Sequence, residues 1–146
     1  MSRASEAAEK IATSQMNCSQ AVLSAYCEEL GMEKRTALKT ALAFGAGMGR
    51  TSGICGAVTG AYMVLGLRDY PDIDNPVVRK EKVYSLVGEF NRRFKAINNS
   101  IDCSDLIGCN LGTPEGQAAA REGKRFASVC PKFVSDAVII LEELSE

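Results

Sequence analysis

The chain has no histidine and no tryptophan, and only four prolines in 146 residues. The missing histidine excludes a large block of chemistry. Without imidazole there is no mixed Cys/His zinc finger, no Ser-His-Asp or Cys-His nucleophile system, and no haem held by His. Any metal site must therefore be rich in thiolate, with carboxylate or backbone help. An excess of charge of one sign is also missing: 17 Lys and Arg stand against 18 Asp and Glu, a formal net charge of −1. No broad field draws the chain to nucleic acid or to an anionic membrane. No stretch reaches the ~18 uninterrupted apolar residues expected of a membrane span. Residues Met1 to Lys10 are polar and charged, unlike the apolar centre of a signal peptide. These absences predict a cytoplasmic protein with no membrane span and no nucleic-acid partner.

What the chain does have is cysteine: Cys18, Cys27, Cys55, Cys103, Cys109 and Cys130. In a reducing compartment, cysteines at this density more often bind metal or do redox chemistry than form a stable disulfide frame. Apolar residues make up 46% of the chain, with Ala and Gly prominent and almost no alternating pattern. That composition favours closely packed helices over a β-sandwich. The length suits one domain with a core of its own. We therefore expect an all-α, single compact bundle of about six to seven helices spanning 1–146.

Helical spacing recurs along most of the chain. Ser5 to Met16 carries Ala8, Ile11, Ala12 and Met16 on one face. Asn17 is the predicted N-cap of a helix from Cys18 to Leu30, with Gly31 as its stop. Glu33 to Phe44 follows, with Leu38, Ala41 and Leu42 inward. Arg68 to Pro76 reads as a connection. Val77 to Asn99 repeats Val83, Val87, Phe90, Phe94 and Ile97 at helical intervals, its basic residues forming a solvated face. A short turn opens at Cys103 after Ser100 or Asp102. Thr113-Pro114-Glu115 starts another helix, and Val129-Cys130-Pro131 opens the closing helix, which runs to Leu144.

The central stretch, Gly45 to Gly66, reads GAGMGRTSGICGAVTGAYMVLG. Its glycines permit φ > 0 and close approach of backbone to other groups. From Ile54 onward it predicts a buried helix whose small face (Gly56, Ala57, Gly60) admits a tightly packed neighbour. The run lacks the spacing of phosphate-binding loops. Cys18, Cys55, Cys103 and Cys130 each fall at a predicted helix start, where backbone N–H groups have no intrahelical partner. Converging there, they would form a set of thiolates stabilised by N–H donors and positive dipole ends. In that arrangement the backbone at Gly49, Arg50, Gly53 and Gly56 would point toward whatever Cys55 binds, with Arg50 able to pair with an anion. Cys27, in mid-helix, reads as packing. Cys109 is a candidate substitute ligand or resolving thiol.

Cys55-Gly56-Ala57-x-x-Gly60, preceded by Cys18 in NCSQAV and followed by Cys103 in CSDLIG and by Cys130, resembles the C_GCAxxG_C_C family along almost the whole chain. The resemblance implies redox activity. A similar cysteine-bearing domain accompanies the haem domain of split-Soret cytochromes, where it is associated with an iron–sulfur cluster. This chain has no C-x-x-C-H, so the haem portion does not carry over. Three readings stand open. Cys18, Cys55, Cys103 and Cys130 could hold an iron–sulfur cluster, with [2Fe–2S] favoured, and exchange electrons with a redox partner protein. They could instead be metal-free redox thiols, with Cys55 attacking and another cysteine resolving. Or they could hold a structural zinc in a scaffold domain. A homodimer is the default assembly expected of a small helical protein.

Overall fold

The computed structural model describes residues 1–71 and 74–145. The helices are α1 (Arg3–Ala12), α2 (Cys18–Ser24), α3 (Lys34–Ala41), α4 (Gly45–Arg50), α5 (Gly56–Leu67), α6 (Pro76–Asn98), α7 (Cys103–Ile107), α8 (Pro114–Glu122), α9 (Arg125–Ser128) and α10 (Cys130–Glu143), with a 3₁₀ turn at Leu42–Phe44. Seven of them have seven residues or more, and no strand is formed among the described residues. The fold is an all-α bundle, as the composition predicts. No helix of the described residues is long and apolar enough to cross a membrane.

The bundle is built around α5, which is apolar on every side and so demands neighbours on every side. Gly56 to Ala61, Val64 and Leu65 are all buried. Helix α2 lies along its small face, α10 packs against both, and α1 and α6 flank α10. The small residues are a geometric requirement: a Cβ on Gly60 would stand 2.8 Å from the Ser19 carbonyl oxygen. Beside this layer Tyr62, Phe90, Phe94 and Phe133 form an aromatic ladder, with successive centroids 6.3, 5.9 and 6.4 Å apart. Phe90 and Phe94 are fully buried, which stabilises the docking of α6 by about 2–3 kcal/mol each.

Local chemistry sets the helix starts. Asn17 caps α2 with a complete capping box: its side-chain oxygen accepts the Gln20 N–H at 2.9 Å, and its own N–H donates to Gln20 Oε1 at 3.0 Å. Their amide nitrogens reach on to the Leu42 and Leu38 carbonyls, which fixes the start of α2 against α3. Thr113 caps α8 by accepting the Gly116 N–H, and Asp102 occupies the cap position of α7.

Several predicted boundaries move. The first helix ends at Ala12 and buries Ala4, Ala7 and Ile11, leaving Ala12 exposed. The second ends at Ser24 and gives way to turns as far as Gly31. The third breaks at Leu42, which is exposed rather than inward. Ile97 is likewise exposed, while Asn98 beside it hydrogen-bonds Asp136 of α10. Residues 72 and 73 of the predicted Arg68–Pro76 connection lie outside the described residues.

Candidate functional site

The glycine run forms a left-handed turn. Ala46, Gly47, Met48 and Gly49 hold φ between 55° and 73° with ψ between 37° and 57°, and Arg50 and Ser52 also have positive φ. Left-handed backbone costs an L-residue about 1–2 kcal/mol, so Gly47 and Gly49 lower the cost while Ala46, Met48 and Arg50 carry it. The turn closes on the Gly47 carbonyl, which accepts N–H groups from Thr51 at 3.3 Å and Gly53 at 2.9 Å. Sequence reasoning anticipates positive φ at glycines but not at Ala46 or Met48.

After the turn, Ile54 and Asp102 form an isolated antiparallel bridge. The Cys55 N–H donates to the Ile101 carbonyl at 2.7 Å, and the Cys103 N–H donates to the Gly53 carbonyl at 3.0 Å. This clamp fixes the start of α5 beside the start of α7. On the other side a Gly56 Cβ would lie 2.3 Å from Cys18 Sγ, and a Gly47 Cβ 2.7 Å from Cys103 Cβ. Only glycine at 56 and 47 leaves room for those two side chains.

All four predicted cysteines stand at helix starts: Cys18, Cys103 and Cys130 open α2, α7 and α10, and Cys55 is the N-cap of α5, one position before the first turn predicted for it. Each is 5–7% exposed. Cys18 and Cys55 interact directly. The Cys55 thiol hydrogen-bonds the Cys18 sulfur and stabilises its thiolate; burial opposes this, and the N–H groups of Ala46 and Ser19 reinforce it. The net effect lowers the Cys18 pKa to about 7. Cys55 moves well upward, first because it supplies that hydrogen bond and then because it is buried. Burial pushes Cys103 up to about 12, with the charge on Cys18 adding to it. Cys130 also rises to about 12 through burial and the charges on Cys18 and Cys103, with Arg125 opposing. The four sulfurs therefore share one electrostatic neighbourhood with a single acidic thiol.

The remaining candidates divide. Cys27 is fully buried, and its thiol faces the Ser24 carbonyl at 3.6 Å, a packing position. Cys109 is half-buried beyond Gly108, the left-handed residue that ends α7. Gly53 and Gly56 serve the cysteines as clamp and clearance. Gly49 and Arg50 are exposed on the left-handed turn, and Arg50 lines two adjoining cavities of about 280 Å³ each. Sequence reasoning missed the Ala46 amide and the Ile54–Asp102 bridge. The alternation of Gly45, Gly47 and Gly49 is the one signal that could have pointed to the turn.

The donor set suits a thiolate-ligated centre in kind: four buried sulfurs, amide donors, and two buried hydroxyls, Ser19 Oγ and Ser104 Oγ, that lack partners directly after Cys18 and Cys103. As the side chains stand, no group of three or more Cys, Asp or Glu among the described residues is arranged to hold a metal ion.

Fold and site together define a small helical protein with a buried, amide-lined cluster of four cysteines. The chain matches the family model described as "Putative redox-active protein (C_GCAxxG_C_C)" over residues 16–144. It belongs to that family. Comparison with curated proteins and with solved structures gave no match.

Proposed function

We propose that the protein works as a thiol–disulfide redox protein in which Cys18 and Cys55 are the exchanging pair. The observation that carries this reading is the seating of Cys18 Sγ against Gly56, the residue after Cys55, where a Cβ would stand 2.3 Å from the sulfur; beside it the Cys55 thiol keeps its proton and favours the negative charge on Cys18. A thiolate beside a thiol is the arrangement from which a disulfide forms. Oxidation joins the two sulfurs and delivers two electrons to the oxidising partner together with the one proton held on Cys55; reduction reverses it. Cys18 attacks because it is the acidic member, which inverts the role expected for Cys55. The Ala46 and Ser19 amides hold the charge on Cys18, and the clearance over Gly56 lets its sulfur lie against the start of α5. Cys103 and Cys130, protonated at neutral pH, stand beside the pair as buried neutral thiols.

A second reading rests on a different observation, the gathering of four buried cysteines at four helix starts. Cys18, Cys55, Cys103 and Cys130 would hold an iron–sulfur cluster, with [2Fe–2S] the favoured form. The cluster would supply one-electron chemistry to a redox partner protein. This chain would supply N–H donors and burial, which set such a centre's potential. One anaerobic preparation separates the readings. The dithiol reading predicts colourless protein, free of iron and acid-labile sulfide, with a two-electron thiol/disulfide midpoint that vanishes in Cys18→Ser. Brown protein containing iron and sulfide, with no such midpoint, would establish the cluster instead.

A further inference from the structure

Cys18 is buried but not sealed. It lines a cavity of about 280 Å³ together with Ile11, Met16, Asn17, Phe126 and Arg50. A second cavity of similar size adjoins it through Asn17, Ala46 and Arg50. The cleft thus has an apolar wall from α1, α9 and the turn before α2, one cationic edge, and Cys18 in its lining. Arg50 is exposed, lies outside the cysteine clamp, and takes no ion-pair or hydrogen-bond partner among the described residues. The strained left-handed turn holds it at the cleft rim, since Arg50 itself has φ 66°. A guanidinium at the rim of an apolar cleft recognises an anionic group on an organic body.

We propose that this cleft admits low-molecular-weight disulfides that carry an anionic group, the anion resting on Arg50 and the organic body on Ile11, Met16 and Phe126. The inference rests on the reading of Cys18 and Cys55 as the exchanging pair. The Cys18 thiolate attacks one sulfur of R–S–S–R′, forming Cys18–S–S–R and expelling R′–S⁻. The Cys55 thiol passes its proton to the departing thiolate and attacks the Cys18 sulfur, releasing R–S⁻, which takes a proton from water as R–SH. One external disulfide bond is broken and one Cys18–Cys55 bond formed, so the electrons balance. An external dithiol resets the pair by the reverse exchange.

The test uses the reduced full chain carrying Cys109→Ala, which removes the more exposed thiol. It is treated with dithiobis(nitrobenzoate), an aromatic disulfide bearing carboxylates, and separately with neutral dithiodipyridine. The expected result is a first adduct on Cys18 with both reagents, located by mass spectrometry and followed by a Cys18–Cys55 disulfide. Arg50→Gln should slow the carboxylate reagent by roughly tenfold at low salt, the lower end of electrostatic steering, and leave the neutral reagent unchanged. Phe126→Ala should slow both. Equal rates with and without Arg50, while the Cys18–Cys55 disulfide still forms, would overturn the cleft's preference and leave the pair intact. Failure of either reagent to yield that disulfide would overturn the underlying pair instead.

Discussion

At the scale of single residues, the account turns on how differently four similar cysteines are treated. Each is buried, and burial alone disfavours the thiolate. Cys18 escapes because two kinds of donor reach it: the Cys55 thiol, and backbone amides that include those of Ala46 and Ser19. Its alkylation by iodoacetamide should therefore rise with pH through about 7 and level off above. The sign follows from the donors, which favour the deprotonated form and move its appearance to lower pH than an ordinary thiol. In Cys55→Ala the largest favourable contribution is gone, and the midpoint should move upward. Site-resolved alkylation across pH checks both. A Cys18 midpoint unchanged in Cys55→Ala, or one no lower than that of free cysteine, would show that the two side chains do not interact. Cys103 and Cys130 should stay unreactive across the neutral range, since burial holds both near 12.

At the scale of elements, the glycines of α5 separate two roles that a sequence pattern alone runs together. Gly60 faces the Ser19 carbonyl oxygen at 2.8 Å from any Cβ, while a Cβ on Gly66 would meet nothing within 4 Å. Gly60→Val should force α2 away from α5 and cost about 2–4 kcal/mol, in the range of core overpacking with backbone shift. Gly66→Ala should stabilise by up to about 1 kcal/mol through helix propensity alone. Thermal unfolding of the two variants reads the difference. Equal effects would mean that close approach of α2 is not what Gly60 provides. These elements were legible to different degrees, for physical reasons. Asn17, Thr113-Pro114 and Pro131 are local chemistry, so the starts of α2, α8 and α10 could be read within a residue or two. Phe90 and Phe94 kept the helical period that places α6 on the core. Leu42 and Ile97 fit the same kind of period but are exposed, and periodicity carries no information about which side of a turn a neighbour covers. The left-handed α4 was hidden because Ala46 and Met48 adopt a backbone that neither residue favours, held there by the Gly47 carbonyl and by contacts distant in sequence.

At the scale of the whole molecule, the bundle brings together the starts of helices that are far apart in the chain. The α2–α5 packing sets Cys18 against Gly56, the Ile54–Asp102 bridge sets Cys103 beside Cys55, and α10, packed on both α2 and α5, carries Cys130 to the same place. The sequence showed that each of these cysteines begins a helix. Which two would touch depended on the crossing of α2 over α5, a property no local pattern holds. The most direct test of the assembled site is to oxidise the reduced protein under metal-free conditions with one equivalent of a thiol oxidant and map the disulfide by mass spectrometry, with Cys27→Ser as a matched control. The account predicts a Cys18–Cys55 bond as the dominant product, in equal yield in the control. A dominant bond involving Cys27, or a mixture of pairs with no preference for Cys18 and Cys55, would contradict it.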